Sequence, residues 1–184
     1  MSNKIEEKYH HSKFAFRIIS LMHDNPLLPY FRNPQRLLKA AGLKPGQKVL
    51  EVGCGPGFFT IPAAKMVRKE GFVYAVDVHP LAIERVKEKI EKEGIKNVEP
   101  VLANASDTGL PDRSVDLAFI FGLRYIAGGL ENVIAEIHRI LKPGGVLSFE
   151  KTRGSAKKLI EEVERRGFTY SERQARIFLF TRGK

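Results

Sequence analysis

Val49-Leu50-Glu51-Val52-Gly53-Cys54-Gly55-Pro56-Gly57-Phe58-Phe59-Thr60 decides how this chain folds. An apolar run carrying one acid enters three glycines at alternate positions, and an apolar segment follows at once. That pattern belongs to a buried strand ending in a tight turn whose N–H groups face outward at a helix N-terminus. Gly53, Gly55 and Gly57 have no Cβ, so a ligand can come within contact distance of the main chain.

Beyond the turn, strands and helices alternate with little slack. Strands are expected at 48–52, 72–77, 98–102, 115–121 and 146–150, and helices at 58–68, 80–93, 131–141 and 155–166. Pro62 is tolerable because it falls in the first turn of its helix. Lys142-Pro143-Gly144-Gly145 reads as a turn before the fifth strand, and 103–113 as a polar loop. The runs 168–173 and 175–181 are joined too closely to hold a crossover helix, so they should form an antiparallel hairpin. The fold expected is α/β: a doubly wound, seven-stranded, mainly parallel, Rossmann-like sheet closed by that hairpin. In such sheets the ligand sits beyond the carboxyl ends of the strands, at the switch point beside the first strand.

Ahead of this unit, 34–184, lies a less legible segment, 1–33. Its apolar cluster at 14–22 reads as a helix, ended by His23-Asp24-Asn25-Pro26. Asn33-Pro34 reads as a cap and first position of a short helix that Gly42 stops.

Composition narrows the classes. The chain of 184 residues has enough apolar content for one core. No run reaches the roughly 18 apolar residues of a membrane span, and the first residues do not read as a signal peptide. Cys54 is the only cysteine, which excludes an internal disulfide and a cysteine-cluster metal site. A cytoplasmic protein is expected. The net charge of +10 is uneven: residues 1–46 hold eight Lys/Arg and three acids, and 151–184 hold ten and four. Residues 47–150, with thirteen and fourteen, are close to neutral. The surplus lies outside the glycine-turn core, as a solvated surface or as a basic rim for an anionic acceptor, RNA or a membrane surface.

Asp77 ends the second expected strand, twenty residues after Gly57. An acid there can accept hydrogen bonds from both hydroxyls of a ribose, which points to a nucleoside-type cofactor. A dinucleotide site usually wants its third glycine one place later, where this chain has Phe58. A nicotinamide dehydrogenase is therefore the weaker alternative.

Several motifs in order resemble those of the class I S-adenosylmethionine-dependent methyltransferases, of the small stand-alone kind related to ubiquinone/menaquinone C-methyltransferases. They are VLEVGCGPG from Val49, VYAVDVHP from Val73, LPDRSVDLAFIFG from Leu110 to Gly122 and LKPGGVL from Leu141 to Leu147. The resemblance covers residues 36–184. It implies S-adenosylmethionine as cofactor, held by Glu51, Gly53, Cys54, Gly55 and Gly57 at its methionine end. It also implies Asp77 at the ribose, Val78, Asn104 and Ala105 around adenine, and Phe121 at the exit of the fourth strand. The family often has Asp where this chain has Asn104. An amide oxygen can still accept the adenine amino bond, without charge assistance.

The acceptor is harder to read. Phe121-Gly122-Leu123-Arg124-Tyr125 lacks the Asn/Asp-Pro-Pro-aromatic signature of base amino methylation. Cys54, inside the glycine turn, is misplaced for a pyrimidine-C5 nucleophile, and arsenite methylation needs several cysteines. Arg124 and Tyr125 either bind an anionic or aromatic acceptor or are a loop arginine and a core-edge tyrosine. His23 and Tyr30 are either bases or packing residues of a lid, the role that the segment 1–33 has in related enzymes. His10-His11 lack a third ligand, so no metal is expected, and His79 and His138 read as non-catalytic. The expected function is methyl transfer to a small-molecule acceptor. RNA- or protein-directed transfer, or a non-catalytic cofactor-binding module, are the alternatives.

Overall fold

The computed structural model describes residues 21, 27–28, 32–123, 126–151 and 154–183. The elements are α1 (Pro34–Ala40), β1 (Lys48–Val52), α2 (Thr60–Val67), β2 (Phe72–Asp77), α3 (Pro80–Lys92), β3 (Val98–Leu102), β4 (Val115–Ile120), α4 (Leu130–Ile140), β5 (Leu141–Glu150), α5 (Ala156–Glu164), β6 (Phe168–Gln174) and β7 (Ile177–Arg182). They form one seven-stranded sheet in the order β3-β2-β1-β4-β5-β7-β6. The first five strands run parallel, while β7 is antiparallel to both β5 and β6. The expected doubly wound sheet with its closing hairpin is present. The chain reverses its direction of winding between β1 and β4, and this is the switch point.

Strand alternation explains the two-faced core. Val49, Phe119 and Phe121 join one buried cluster with Leu38 of α1, Ala63 and Val67 of α2 and Val86 of α3. Their neighbours Leu50, Ala118 and Ile120 join the other, with Ile134 and Ile137 of α4 and Leu159 of α5. A one-residue slip in register would exchange the two sets, so burial on both faces pins the pairing.

Local chemistry sets the helix starts. The Asn33 side chain accepts from Arg36 N–H at 3.0 Å, capping α1 with Pro34 behind it as read from the sequence. His79 does the same for α3, its Nδ1 accepting from Leu81 N–H at 3.2 Å.

Three expectations are corrected. Phe58 and Phe59 stay in the turn and α2 starts at Thr60, because the glycine turn extends through them. Phe121 lies one residue past β4. The stretch 142–145 is not a separate turn before the fifth strand. Leu141 already pairs with Val115, the register jumps to Leu117 against Val146, and the four residues form an irregularity inside β5. Gly144, with φ of 75°, supplies the left-handed conformation that this detour needs. The expected helix at 14–22 falls on residues outside those described, apart from Leu21.

Candidate cofactor and acceptor site

At the end of β1 the chain turns through Gly53, Gly55 and Gly57, with φ of 72°, 52° and 85°. Side-chain residues rarely adopt these angles, so the glycines are required by the backbone itself. Gly53 and Cys54 N–H both donate to Val76 carbonyl oxygen, at 2.8 and 3.0 Å, which ties the turn to β2. A Cβ added at Gly55 would meet nothing within 4 Å, so the turn opens outward there. At Gly53 it would stand 2.5 Å from Leu123 Cδ2, which places the loop after β4 directly over the glycine.

Three titratable groups gather beneath the turn. Glu51 is 2% exposed and accepts from Thr60 Oγ1 at 2.6 Å. Burial outweighs that hydrogen bond, and the nearby Asp77 adds to it, so its carboxyl is pushed up to about 8. Cys54 is buried, and burial with the neighbouring Glu51 and Asp77 charges raises its thiol well above the ordinary range, which makes it a packing residue. Asp77, at the end of β2, accepts from Gly55 N–H at 2.8 Å through Oδ2 and from His79 N–H at 2.9 Å through Oδ1. Burial raises it, and those two donors work against the rise. The Val78 N–H also bonds this carboxylate, whose two oxygens have room for about four acceptor bonds and so retain accepting capacity.

Asn104, past β3, turns its amide oxygen onto Ser106 N–H at 3.0 Å. A Cβ at Gly128 would lie 2.7 Å from that oxygen, so the loop before α4 reaches this end of the site too. Ala105 is buried beside it and Val78 is half-buried after Asp77. The structure thus brings Glu51, Gly53, Cys54, Gly55, Asp77, Val78, Asn104 and Ala105 to the C-terminal ends of three adjacent strands. These are the groups that a nucleoside with a polar tail requires: bare backbone, a diol acceptor and an amide.

A family model described as a methyltransferase domain matches residues 49–145, more than half of the chain. The chain belongs to the methyltransferase-domain family. The demethylmenaquinone methyltransferase of Geobacillus stearothermophilus is 32% identical over 152 residues, 79% of this chain and 63% of the relative. The ubiquinone/menaquinone biosynthesis C-methyltransferase of Hydrogenovibrio crunogenus is 36% identical over 119 residues, 62% of this chain and 46% of the relative. The chain therefore spans less than two thirds of the length of these relatives. A solved structure of an S-adenosylmethionine-dependent methyltransferase from Aquifex aeolicus superposes with a TM-score of 0.72 at 26% identity, over 88% of this chain and 94% of that one. S-adenosylmethionine is accordingly the family cofactor, and the donor set around the glycine turn fits it.

On the other side of the switch the carboxyl ends of β4 and β5 and the segment 121–123 border the same edge of the sheet, here called the mouth. Here Glu150, the buried last residue of β5, accepts from Gly122 N–H at 2.9 Å and pairs with Arg32. The Arg32 guanidinium carbon lies 5.2 Å from the centre of the Phe59 ring, a cation–π distance. A Cβ at Gly122 would be 3.1 Å from an Arg32 nitrogen, so glycine makes room for the arginine. Phe59 and Phe121 rings meet edge to face at 5.3 Å, with Phe119 a further 5.0 Å from Phe121. Phe121 is thus part of a buried aromatic layer under the mouth rather than an open contact.

Sequence reading missed Arg32, Leu123 and Glu150. Only Glu150 left a trace: it is an acid at the end of an apolar strand, as Asp77 is. The candidates His23, Tyr30, Arg124 and Tyr125 lie outside the described residues, as do His10 and His11. His138 packs edge to face on Phe168 at 5.3 Å, a structural role. Among the described residues no group of three His, Cys, Asp or Glu could hold a metal, and no helix is long and apolar enough to cross a membrane. A depression bounded by Pro45, Gly46, Arg68, Lys69 and Glu70 opens at the opposite end of the sheet and contains none of these groups.

Proposed function

We propose that the protein methylates a ring carbon of a small, apolar hydroxylated aromatic acceptor of the demethylated quinol kind. The observation that carries the donor half is the Asp77 carboxylate bonded to Gly55 N–H at 2.8 Å across the β1–β2 exit, which joins a diol acceptor to a bare-backbone turn. The quinone methyltransferases among its relatives support the acceptor half.

S-adenosylmethionine supplies a methyl group on a sulfonium, a leaving group already activated by its charge. What remains for the chain is positioning and the removal of one proton from the acceptor. Gly53, Gly55 and Gly57 let the methionine end approach the backbone, Asp77 takes the ribose hydroxyls, and Asn104 takes the adenine amino group. Leu123 and Phe121 exclude water from the junction between donor and acceptor ends. The acceptor's ring oxygens provide the electron density, and His23, Tyr30, Arg124 and Tyr125 are our candidates for binding them or accepting the proton.

The test uses purified protein, labelled S-adenosylmethionine and a reduced naphthoquinone with a short prenyl chain. Label in the quinone fraction is the expected result. Label in RNA or protein of a cell extract, with none in the quinone, would overturn the acceptor assignment. In the same preparation, Asp77→Ala should weaken S-adenosylhomocysteine binding by about 1–3 kcal/mol, the cost of leaving ribose hydroxyls without their partner. Unchanged affinity on calorimetric titration removes Asp77 from the site.

A further inference from the structure

The basic C-terminal quarter of the sequence acquires a location in the fold. Ile177 of β7 pairs with Glu150, the last residue of β5, so the β6–β7 turn at Ala175 and Arg176 stands at the mouth end of the sheet. Lys151 N–H donates to Arg176 carbonyl oxygen at 2.9 Å and locks the two strand ends together. Arg173 is fixed beside them, its Nε donating to Ala175 carbonyl oxygen at 2.6 Å and its guanidinium 5.1 Å from the Phe178 ring. Helix α5 starts from the same end, capped by Ser155. It carries Lys157 and Lys158 exposed in its first turn, with no acid there. Cations oppose the helix dipole at that position, so local stability does not account for them. Lys151, Lys157, Lys158, Arg173 and Arg176 therefore form one rim on the acceptor side of the mouth. Acids are few on it: Glu172 accepts from Gln174 at 3.2 Å, Glu161 lies 3.9 Å from Lys157 one turn down, and Glu150 is buried against Arg32.

An apolar element adjoins this rim. Arg32 N–H donates to Leu28 carbonyl oxygen at 2.8 Å, so Leu27 and Leu28 lie one turn from the arginine at the mouth. Leu28 packs into the core, whereas Leu27 is 58% exposed. Basic residues with an exposed leucine at the same mouth match a surface of anionic lipid, which attracts lysine and arginine and accepts apolar side chains at the headgroup boundary. Single-stranded nucleic acid would call for exposed aromatic platforms, and among the described residues the exposed large hydrophobic side chains are leucines.

We propose that this rim docks the protein on an anionic bilayer, with the acceptor mouth facing the membrane. An apolar acceptor would then pass from lipid to the β4–β5 mouth without crossing water. The proposal rests on the reading of an apolar acceptor, but docking is measured with no acceptor present, so the two can fail separately.

The experiment is co-sedimentation of the full chain with vesicles of phosphatidylcholine alone and with a third phosphatidylglycerol, at 0.1 M salt. Binding is expected only to the anionic vesicles, and 0.5 M salt should release it. Arg173→Glu with Arg176→Glu should reduce partitioning about tenfold or more. Lys44→Glu with Arg68→Glu, at the opposite end of the sheet, should leave it within about twofold. Equal losses from both pairs would reduce the effect to overall charge and overturn the proposal. So would absence of binding by the wild type, or tighter binding to a single-stranded RNA oligomer that the rim variant loses. Unchanged S-adenosylhomocysteine affinity in the rim variant shows that it is folded.

Discussion

At the scale of single residues, Glu51 is the group whose surroundings oppose its ordinary chemistry most strongly. It is almost sealed from solvent, has one hydroxyl donor, and is held at about 8 against a usual value near 4.5. Between those two values the folded chain keeps a proton that the unfolded chain has lost. The folded state thus binds more protons, and stability falls as pH rises. The contribution is complete below pH 4.5 and is gone once pH has passed about 8, a difference on the order of a few kcal/mol. Thermal unfolding between pH 6 and 9 should show the decline, and Glu51→Gln should flatten it. A variant with the wild-type slope would mean that Glu51 is ionised in the folded protein at neutral pH. The residue types at this end of β1 were legible because glycines at alternate positions have few other uses. The Leu123 side chain over Gly53 was not legible, since nothing in a leucine two residues past a strand tells where a loop will fold back.

Among the elements, the connection from β3 to β4 shows how a polar loop is made part of a rigid site. The sequence gives 103–113 no periodicity, and it reads as loop. The structure secures it with one buried acid. Glu136 of α4 accepts from Thr108 N–H and Oγ1 at 2.9 and 2.6 Å, and from Arg139, which also binds Asp112 and, at 2.7 Å, the carbonyl of Leu110. Burial would raise Glu136, but its donors outweigh burial and hold it at about 2. A depressed carboxyl stabilises above its unfolded value, so this contribution is full above pH 4.5 and is lost as pH falls toward 2. Glu136→Ala leaves both Thr108 donors without their acceptor and Arg139 with only Asp112 and the Leu110 carbonyl, and should cost about 3 kcal/mol, or roughly 6–12 °C in Tm for a chain of this size. Calorimetry checks it, and a loss below 1 kcal/mol would show that water replaces the carboxylate without penalty. Helical periodicity made α4 readable, but its polar side carried no mark that one glutamate turns inward. The irregular start of β5 escaped for a related reason. Lys-Pro-Gly-Gly has strong turn chemistry, and only pairing of Leu141 with Val115 shows that the strand begins before it.

For the molecule as a whole, the proposed site divides at the reversal between β1 and β4: β1, β2 and β3 carry the proposed cofactor groups, while β4, β5 and the hairpin carry the proposed mouth and basic rim. Glu150 tests this division because it is buried and, among the described residues, bonded to Gly122 and Arg32 beside the ends of β4 and β5. Removing its carboxylate leaves the arginine against Phe59 without its counter-charge and Gly122 N–H without an acceptor. Arg32 is only half-buried, so water screens part of its lost counter-charge, and Glu150→Ala should be destabilised by about 1–3 kcal/mol in urea unfolding. Glu150→Gln keeps an oxygen for Gly122 N–H and should lose less. If the halves are separate, both folded variants should bind S-adenosylhomocysteine within about twofold of wild type, while methyl transfer falls with the displaced arginine. Asp77→Ala should do the reverse, weakening cofactor first. A Glu150 variant that weakens cofactor as much as it slows transfer would mean that the ends of β1 and β5 form one site, with Arg32 bridging donor and acceptor.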